Sequence, residues 1–429
     1  MPPRHRQQPV HLLSHTINFF YNSSNTLFTI QTKSTVITPN VRHLSAAIEV
    51  HRLRSISAAA GRVHLSQSAV TQSLAKLEQQ LGSPLFTRTS TGVFPTAAGT
   101  IFFARAQRAL DHLKALEQTL FSRSKSRQLY RRLTNAQLRA MLAVVETGNY
   151  TRAAQRLGLT QPTVHRAVRE MESLCQQTFF QRSPAGVEAN WQARQIARHI
   201  SLFFAEIAQS LEELSEFNGR MTGTIRIGSL PLARTRMVPK AVTQLLKKFP
   251  EAQVKIIDGP YEEQLHALLH GQIDVIVGAL RRPAPSNDIV QELLFHDPLN
   301  IVVKPNHWLA TTRHVTPQQL SQLEWIAPRE HTPAREAFSQ FFNREGLNPP
   351  THVIECSSLV AIRELLLDSD RAALLPARQV ETDVNSGLLA VSPRPLKGTS
   401  REIGLALRKG WQPTRVQSEC LALLREQIN

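Results

Sequence analysis

Two short stretches of the chain carry side chains that can read the edges of DNA bases. They are "SQSAVTQ" (66–72) and "TQPTVHR" (160–166). Glutamine can form two hydrogen bonds with adenine and arginine two with guanine, while hydroxyl groups and the N-terminus of a helix can bind phosphate. The residue types therefore predict two DNA-reading helices. The candidate DNA contacts, which include one arginine downstream of each stretch, are Ser66, Gln67, Ser68, Thr71, Gln72, Arg88, Thr160, Gln161, Pro162, His165, Arg166 and Arg182.

The two stretches lie in copies of one longer unit, offset by 94 residues. Residues 56–93 align with residues 150–187 without a gap, and repeated agreement at one fixed offset indicates a duplication. The coincident residues include Ala59/Ala153, Ala60/Ala154, Arg62/Arg156, Gln67/Gln161, Val70/Val164, Glu78/Glu172, Phe86/Phe180, Arg88/Arg182 and Gly92/Gly186.

Each copy predicts the same series of elements around its reading helix. An amphipathic helix (42–53 or 135–146) precedes a short helix with an Ala-Ala pair, a tight turn, the reading helix and an extended hairpin. The small alanines allow two helices to pack closely at a steep angle, as a helix-turn-helix requires. The hydroxyls of Ser66 and Thr160 are expected to cap the reading helices. A long helix with an apolar stripe follows each copy, over 97–124 and 191–217.

Composition favours a soluble, multidomain protein with a polyanionic partner. The chain has 429 residues, of which 41% are hydrophobic and 19% charged, and its net charge is +17. Residues 41–130 carry 12 Lys or Arg against 4 Asp or Glu, whereas residues 131–219 carry 10 against 8, so the first copy is the more basic. No apolar run approaches the ~18 residues of a membrane span and no signal peptide is evident. We therefore expect a cytoplasmic protein with no membrane partner.

Motifs for metal binding or catalysis are not found in the sequence. The three cysteines, Cys175, Cys356 and Cys420, are far apart, and no HxxxH or HxH pair of histidines is supported by a carboxylate, so neither a disulfide framework nor a metal site is predicted. There is no GxSxG motif, P-loop or dinucleotide-binding glycine motif. We expect no cofactor and no enzymatic activity, and an α/β enzyme with accessory DNA-binding units is the remote alternative.

From Thr224 onwards, strand-like and helix-like segments alternate. This order predicts an α/β domain with largely parallel sheets and two lobes that enclose a cleft. A strand end followed by a helix start, as in "IGSLPLAR" (227–234), is a common place for ligand contacts in such sheets. Small or polar residues at strand ends and before one helix are the candidate effector contacts: Ser229, Leu230, Pro231, Leu232, Gly259, Gly278 and Thr332. A plain strand-to-helix turn is the alternative reading of the first four.

The stretch "SAAAGRVHLSQSAVTQSLAKLEQQLGSPLFTRTSTGVFPTAAG" (57–99) resembles the winged helix-turn-helix of LysR-type transcriptional regulators. Residues 222–429 are similar to the effector-binding domain of that family. The resemblance implies a multidomain fold with α-helical winged units, linker helices and a two-lobed, periplasmic-binding-protein-like α/β domain. It also implies double-stranded DNA, a small-molecule effector and RNA polymerase as partners, and a homodimer or homotetramer. "REHTPAREAF" and "LLLDSDRAALLP" resemble the branch that regulates sugar-related catabolic genes, which suggests a sugar-related or other catabolic effector.

The predicted boundaries follow from the repeat and from the resemblance. Residues 1–40 are either a disordered tail or a misassigned start, with translation beginning near Val41. The remaining segments are a first winged unit (41–99), a first linker helix (100–127), a second winged unit (131–190), a second linker helix (191–218) and the effector domain (222–429). Lobe I of that domain covers about 222–295 and 396–429, and lobe II covers about 296–395.

The chain departs from the family in having two winged units instead of one. Two units in one subunit could act as a pseudo-dimer, or a dimer of chains could offer four reading helices. The second unit either binds DNA or serves only dimerisation or structure. Neither wing tip, "TSTG" or "SPAG", carries an arginine, so minor-groove contacts by the wings are not expected. Arg88 and Arg182 are expected to contact phosphate or to brace the core.

Overall fold

The computed structural model describes residues 38–121 and 128–428. Residues 1–37 of the predicted tail lie outside these ranges, as does the predicted end of the first linker helix at 122–127. Val41, the predicted alternative start, lies within them. No described helix is both long enough and apolar enough to span a membrane. Within the described ranges, no group of three or more acidic, histidine or cysteine side chains is placed to hold a metal ion.

The two copies fold into winged helix-turn-helix units with the same series of elements. The first contains α1 (Val41–Leu53), α2 (Ile56–Val63), α3 (Gln67–Leu81), β1 (Phe86–Thr89), β2 (Gly92–Pro95) and α4 (Ala97–Leu120). The second contains α5 (Asn135–Thr147), α6 (Tyr150–Leu157), α7 (Gln161–Cys175), β3 (Phe180–Ser183), β4 (Gly186–Ala189) and α8 (Trp191–Phe217). Each element of the second unit begins 94 residues after its counterpart, which confirms the repeat at the level of structure.

A glycine at the same place in each hairpin allows the wing to dock against the helix-turn-helix. Gly92 and Gly186 have φ angles of 147° and 138°. A Cβ on Gly92 would lie 2.8 Å from the carbonyl oxygen of Arg54, and one on Gly186 would lie 2.5 Å from that of Gly148. The following residue, Val93 or Val187, donates its backbone N–H to the same carbonyl. Close backbone approach therefore fixes both wings on their first helices.

The predicted helix caps differ between the copies. The hydroxyl of Ser66 accepts a hydrogen bond from the backbone N–H of Ala69 at 3.1 Å, as expected. The prediction for Thr160 is wrong, because its hydroxyl lies 2.8 Å from that of Thr163 and accepts no backbone N–H. Pro162 occupies the first turn of α7 and has no N–H to offer, which reduces the need for a cap there.

The linker helices α4 and α8 pack against each other in antiparallel orientation. Arg105, near the start of α4, contacts Glu213 and Gln209 in the second half of α8, whereas His112 contacts His199 in its first half. Side chains of both units join one hydrophobic core, which contains Leu113 and Leu116 from α4, Ile196, Ile200 and Phe203 from α8, and Met171 and Phe179 from the second winged unit. The two units therefore form a single packed body within one chain.

The C-terminal part folds into two five-stranded sheets flanked by helices. Its helices are α9 (Pro231–Thr235), α10 (Met237–Lys248), α11 (Tyr261–Leu269), α12 (Pro317–Ser321), α13 (Pro333–Arg344), α14 (Leu359–Leu367), α15 (Glu381–Asn385) and α16 (Arg415–Arg425). Its strands are β5 (Thr224–Ser229), β6 (Gln253–Ile257), β7 (Val275–Ala279), β8 (Ile289–Asp297), β9 (Leu299–Val303), β10 (Trp325–Ala327), β11 (Val353–Glu355), β12 (Ala372–Pro376), β13 (Ala390–Val391) and β14 (Arg401–Arg408). The strand orders are β6-β5-β7-β14-β8 and β11-β10-β12-β9-β13.

The prediction of largely parallel sheets is wrong. The sheets are mixed, because β14 runs antiparallel to both β7 and β8, and β9 runs antiparallel to β12 and β13. Helices α9 and α10 are separated at Arg236, because Pro239 cannot donate to the carbonyl four residues earlier and so belongs to a first helical turn. Strand β8 lies at the edge of its sheet and is partly exposed.

Candidate nucleic-acid interface and effector cleft

The recognition helices α3 and α7 present their predicted DNA-reading side chains to solvent. Gln67, Ser68 and Gln72 are exposed on α3, and Thr71 is half-buried beside them. On α7, Gln161, Pro162 and Arg166 are exposed and His165 is half-buried. The His165 ring packs edge-on against Tyr150, with 5.0 Å between ring centroids, which orients the imidazole on the helix surface. Burial raises the pKa of Tyr150 to about 12, so this contact is made by a neutral phenol.

Charges around the two recognition helices differ. Four arginines of the second unit pair with acids of the same unit: Arg156 with Glu146 at 2.6 Å, Arg166 with Glu170 at 3.9 Å, Arg169 with Glu172 at 3.0 Å and Arg194 with Glu188 at 3.1 Å. On α3, Lys76 is exposed and forms no salt bridge with any residue that the structure describes. The cation on α3 is thus free to reach phosphate, whereas both arginines of α7 have acidic partners.

The acidic residue shared by the two recognition helices has a structural role. Glu78 accepts hydrogen bonds from the backbone N–H groups of Leu85 and Phe86, at 2.7 and 3.1 Å. Glu172 accepts from the N–H of Phe179 at 2.7 Å. Both carboxylates therefore tie the recognition helix to the wing that follows it. Glu172 is buried and does not repel DNA from the outer face of α7.

The wing arginines predicted to contact phosphate or to brace the core are both exposed. Arg88 on β1 and Arg182 on β3 form no hydrogen bond or ion pair with other residues in the described part of the chain. Their exposure argues against core bracing, because neither side chain is packed into the interior. A phosphate contact remains the prediction for both.

A local twofold axis relates the two winged units. Under the offset of 94 residues, Arg105 corresponds to His199 and His112 corresponds to Glu206. Exchanging the copies therefore turns the contact between Arg105 and Glu206 into the contact between His199 and His112. Both contacts are present, as an ion pair of 3.2 Å and as rings with centroids 6.4 Å apart. The antiparallel register of α4 and α8 therefore maps onto itself when the copies are exchanged, as in an interface between two identical subunits.

In the effector domain, residues that carry unpaired polar atoms lie together where β5 ends and α11 begins, in what is here called the cluster. The Ser229 hydroxyl, the Tyr261 hydroxyl and the Gln264 Oε1 atom are buried and have no hydrogen-bond partner among the described residues. The Gln264 Nε2 atom donates to the carbonyl of Gly259 at 3.1 Å and reaches that of Ser229 at 3.4 Å, so Gln264 joins the two strand ends. Buried polar atoms without partners are costly. Such a cluster suits an oxygen-rich ligand that supplies the missing bonds.

Arginines of both lobes contribute to the electrostatics near this cluster. Arg234 donates from Nε to the Ser229 carbonyl at 2.9 Å and lies 3.8 Å from Asp258. Burial lowers the pKa of Arg234, Asp258 raises it, and the positive charge of Arg329 in the other lobe lowers it. Arg329 comes from the turn after β10, one residue before Glu330 and close to Thr332. Arg234 and Arg329 are therefore within electrostatic range of each other, and an anion that reached both would reduce their repulsion.

The predicted effector residues are only partly brought together. Ser229 lies in the cluster, and the carbonyl of Gly259 bonds Gln264 within it. Gly278 is covered by Leu230, because a Cβ there would lie 2.5 Å from the Leu230 Cβ, so this glycine serves side-chain packing. In lobe II, Thr332 caps α13 by accepting from the Arg335 N–H at 3.2 Å and donates to the Arg329 carbonyl at 2.7 Å.

The helix after β5 is not a strong anion site. Helix α9, which starts at Pro231, has five residues, so its dipole and free N–H groups contribute little. Leu232 is buried and lines a separate cavity of about 440 Å³ between Met237, Phe295 and Arg378. Polar side chains that the sequence prediction did not name are the further candidates at these strand ends and in the facing lobe, namely Arg234, Tyr261, Gln264 and Arg329. The run "DGPYEEQ" (258–264), with its aromatic and polar residues after a strand, was the signal available for two of them.

Lobe I is attached to α8 and to the second winged unit by polar contacts. Arg198 forms an ion pair with Asp288 at 2.8 Å, and the Ser201 hydroxyl donates to the His270 carbonyl at 2.6 Å. Gln272 donates to Glu146 on α5 at 2.9 Å. Arg415 on α16 forms an ion pair with Glu216 near the end of α8 at 3.0 Å. The effector domain thus contacts both ends of the linker pair.

Comparison with known proteins places these features in one family. The profile "Bacterial regulatory helix-turn-helix protein, lysR family" matches residues 41–100 and again 135–194, and "LysR substrate binding domain" matches residues 218–429. The transcriptional regulator GalR of Pseudomonas putida is 32% identical over 391 residues, which cover 91% of this chain and 98% of that protein. The regulator PcaQ of Agrobacterium fabrum is 26% identical over 289 residues, 67% of this chain and 93% of its own length.

Among solved structures, a full-length OxyR variant from Pseudomonas aeruginosa has the same fold, with a TM-score of 0.52 and 20% identity over 68% of this chain and 93% of that one. PcaQ and this OxyR match only about two thirds of the chain although nearly all of their own length is matched, which is the coverage expected when one winged unit has no counterpart. GalR, by contrast, spans almost the whole chain. The chain belongs to the LysR family of transcriptional regulators, with a DNA-binding helix-turn-helix region that occurs twice and a C-terminal effector-binding domain.

Proposed function

We propose that both winged units of this regulator bind one DNA site together, as a pseudo-dimer within a single chain. The observation that carries this proposal is the local twofold axis between the units, which the contacts Arg105–Glu206 and His112–His199 define. In LysR-type dimers two reading helices come from two chains; here the same antiparallel linker pair forms within one. A shared hydrophobic core holds the two units at a fixed spacing. Fixed spacing is what two half-sites on one face of a duplex require.

The residues proposed to contact DNA are those exposed on the outer faces of α3 and α7. Gln67, Gln72, Gln161 and Arg166 would bond base edges in the major groove, with Ser68, Thr71, Pro162 and His165 beside them. Ser66, Thr160, Arg88 and Arg182 would hold phosphates and set the register. The alternative, a second unit that serves only structure or dimerisation, would leave α7 without a DNA contact.

Paired substitutions in the full chain test this proposal. Genome-wide mapping of bound sites and mobility-shift measurements on the recovered fragments would compare Gln67→Ala/Thr71→Ala with Gln161→Ala/Arg166→Ala. We expect both double variants to weaken specific binding by about 10-fold or more, since each bidentate contact contributes ~1–3 kcal/mol. Gln79→Ala/Gln80→Ala, which changes two exposed residues at the far end of α3, is the matched control. Loss of sites only with the first double variant would make the second unit structural.

The effector is proposed to be a small, hydroxylated acid, such as a sugar acid from a catabolic route. Its negative charge would lie between Arg234 and Arg329, and its hydroxyl groups would bond Ser229, Tyr261 and Gln264. Thermal unfolding of the full chain with a panel of hydroxy acids and matched neutral sugars tests this chemistry, because a ligand that binds the folded state raises Tm. Acids alone should raise Tm, and Arg234→Gln should abolish the rise. An equal rise with neutral sugars would rule out the acidic class.

Closure of the lobes would change the position of the DNA-binding units through the contacts between lobe I and α8. A change in lobe placement would move Arg198, Ser201 and Gln272, and with them the second winged unit. The regulator would work in the bacterial cytoplasm with RNA polymerase as a further partner. A homodimer of such chains would carry four reading helices and could bridge two sites. If the chain showed no specific, salt-dependent binding to DNA, the enzyme alternative would have to be reconsidered.

A further inference from the structure

We infer that one chain reads two unlike half-sites, so that its operator is not a palindrome. The inference rests on the proposed function, in which both units bind DNA. Two identical reading helices related by a twofold axis require an inverted repeat, because each presents the same side chains to its half-site. In this chain the backbone frame is symmetric and the side chains that read bases are not.

Equivalent positions on the two recognition helices carry different hydrogen-bonding groups. At the offset of 94 residues, Gln67 corresponds to Gln161, but Gln72 corresponds to Arg166. Two further pairs at the DNA-facing surface also differ, Ser68/Pro162 and Thr71/His165. Only the first glutamine is shared. A common adenine contact at one position and different bases at the next positions are therefore expected.

The pair Gln72/Arg166 decides the chemistry most directly. The glutamine amide has a carbonyl acceptor beside an N–H donor, which match the N6 and N7 atoms of adenine, whereas arginine offers only donors and matches O6 and N7 of guanine. The Arg166 side chain is 75% exposed, and its ion pair with Glu170 is long, at 3.9 Å. Such an exposed pair is weak, so Arg166 can leave it for a base. The second half-site should carry G·C where the first carries A·T.

The two recognition helices also differ in charge at the end of the surface that faces DNA. Lys76 on α3 corresponds to Glu170 on α7. The first unit can thus add a phosphate contact where the second has a carboxylate. We therefore expect phosphate contacts to contribute more of the binding free energy at the first half-site. At the second half-site, binding should depend more strongly on the base sequence. The operator has a defined direction as a result, and the chain binds it in one orientation.

In vitro selection with the full chain and a random duplex pool tests the inference. The enriched duplex should contain two unlike half-sites on one face. It should bind about 10-fold or more tightly than either palindrome made by doubling one half-site at the same spacing. The decisive variant is the exchange Gln72→Arg/Arg166→Gln, which alters two exposed side chains and keeps the net charge. It should move the guanine preference from one half-site to the other.

The outcomes separate this inference from the proposal beneath it. Gln67→Ala and Gln161→Ala change the shared residue and should weaken each half-site to a similar degree, which serves as the matched control. Enrichment of a palindrome, or an exchange variant that selects the wild-type duplex in the wild-type orientation, would overturn the inference while both units still bound DNA. Footprints limited to the half-site read by α3 would overturn the proposal that the second unit binds DNA. Circular dichroism at the binding temperature confirms that the exchange variant is folded.

Discussion

The two winged units keep the same backbone although their outer surfaces have diverged. Positions that pack inside are shared, such as Ala59/Ala153 and Val70/Val164, and all four of these residues are fully buried. Positions on the reading face differ, such as Gln72/Arg166 and Lys76/Glu170. Packing and backbone approach determine the fold of a winged unit, whereas nothing inside the unit constrains the residues that face DNA. One fold can therefore serve two base sequences in one chain.

Symmetry between the units is also broken at the linker pair. On one side of the local axis, Arg105 is buried and pairs with Glu206 and Glu213, at 3.2 and 2.6 Å. On the other side, the equivalent position carries His199, next to His112. The same antiparallel register of α4 and α8 is therefore held by an ion pair on one side of the axis and by a contact between neutral rings on the other. Each can be removed separately, and the effects should differ in size and in pH dependence.

The largest effect is expected from Arg105→Ala. This change leaves Glu213 and Gln209 without their partner, although Arg108 still pairs with Glu206. Removing one partner of a buried ion pair costs about 3 kcal/mol or more. The free energy of unfolding, from urea titration followed by circular dichroism, should fall by about that amount. Lys114→Ala, which breaks an exposed ion pair with Asp111 on the same helix, should cost less than about 0.5 kcal/mol. Equal losses would mean that the linker pair does not hold the units together.

The second effect is a pH dependence that only the His199 side should show. Burial and the charges of His112 and Arg198 together lower the pKa of His199 from 6.5 to about 4, although Asp288 opposes the shift. As the pH falls through 6.5, the unfolded chain therefore binds a proton at His199, whereas the folded chain does not do so until the pH approaches 4. The contribution of this histidine to the free energy of unfolding is complete above pH 6.5 and is lost as the pH falls towards 4, by about 1.4 kcal/mol per pH unit. His199→Leu should reduce the slope of unfolding free energy against pH between pH 7.5 and 5.5, to which other buried histidines such as His270 also contribute; an unchanged slope would show that His199 protonates in the folded state.

The third effect separates the electrostatic roles of the recognition helices. Lys76→Glu should weaken DNA binding about 5-fold and lower the salt slope by roughly one, because a phosphate contact is lost. Glu170→Lys should do the reverse, since it adds a cation at the equivalent position and releases Arg166. Mobility shifts over a series of salt concentrations measure both. Lys397→Glu, at an exposed position in the effector domain, is the control for charge alone. No gain from Glu170→Lys would place α7 away from the DNA.

The repeat predicted the winged units well because each element depends on contacts close in sequence. Every helix and strand of the second unit begins at the position that the offset from the first gives. The antiparallel linker pair was not predicted, since Arg105 has the sequence appearance of an exposed basic residue until Glu206 and Glu213 are brought to it from about a hundred positions away. The same holds for Arg234 and Arg329 in the cleft. Side chains that meet only through tertiary folding leave no local pattern.

The smallest effect concerns the start of each recognition helix, where similar residues have different roles. Ser66→Ala removes a hydroxyl that accepts the Ala69 N–H, so it should cost about 1 kcal/mol. Thr160→Ala removes a hydroxyl bonded to Thr163 instead of the backbone, so its cost should be smaller by at least half. Thermal unfolding of the two variants under one set of conditions measures the difference. If Thr160→Ala were the more costly change, the Thr160 hydroxyl would be the more important helix cap, and Pro162 would not have reduced the need for one.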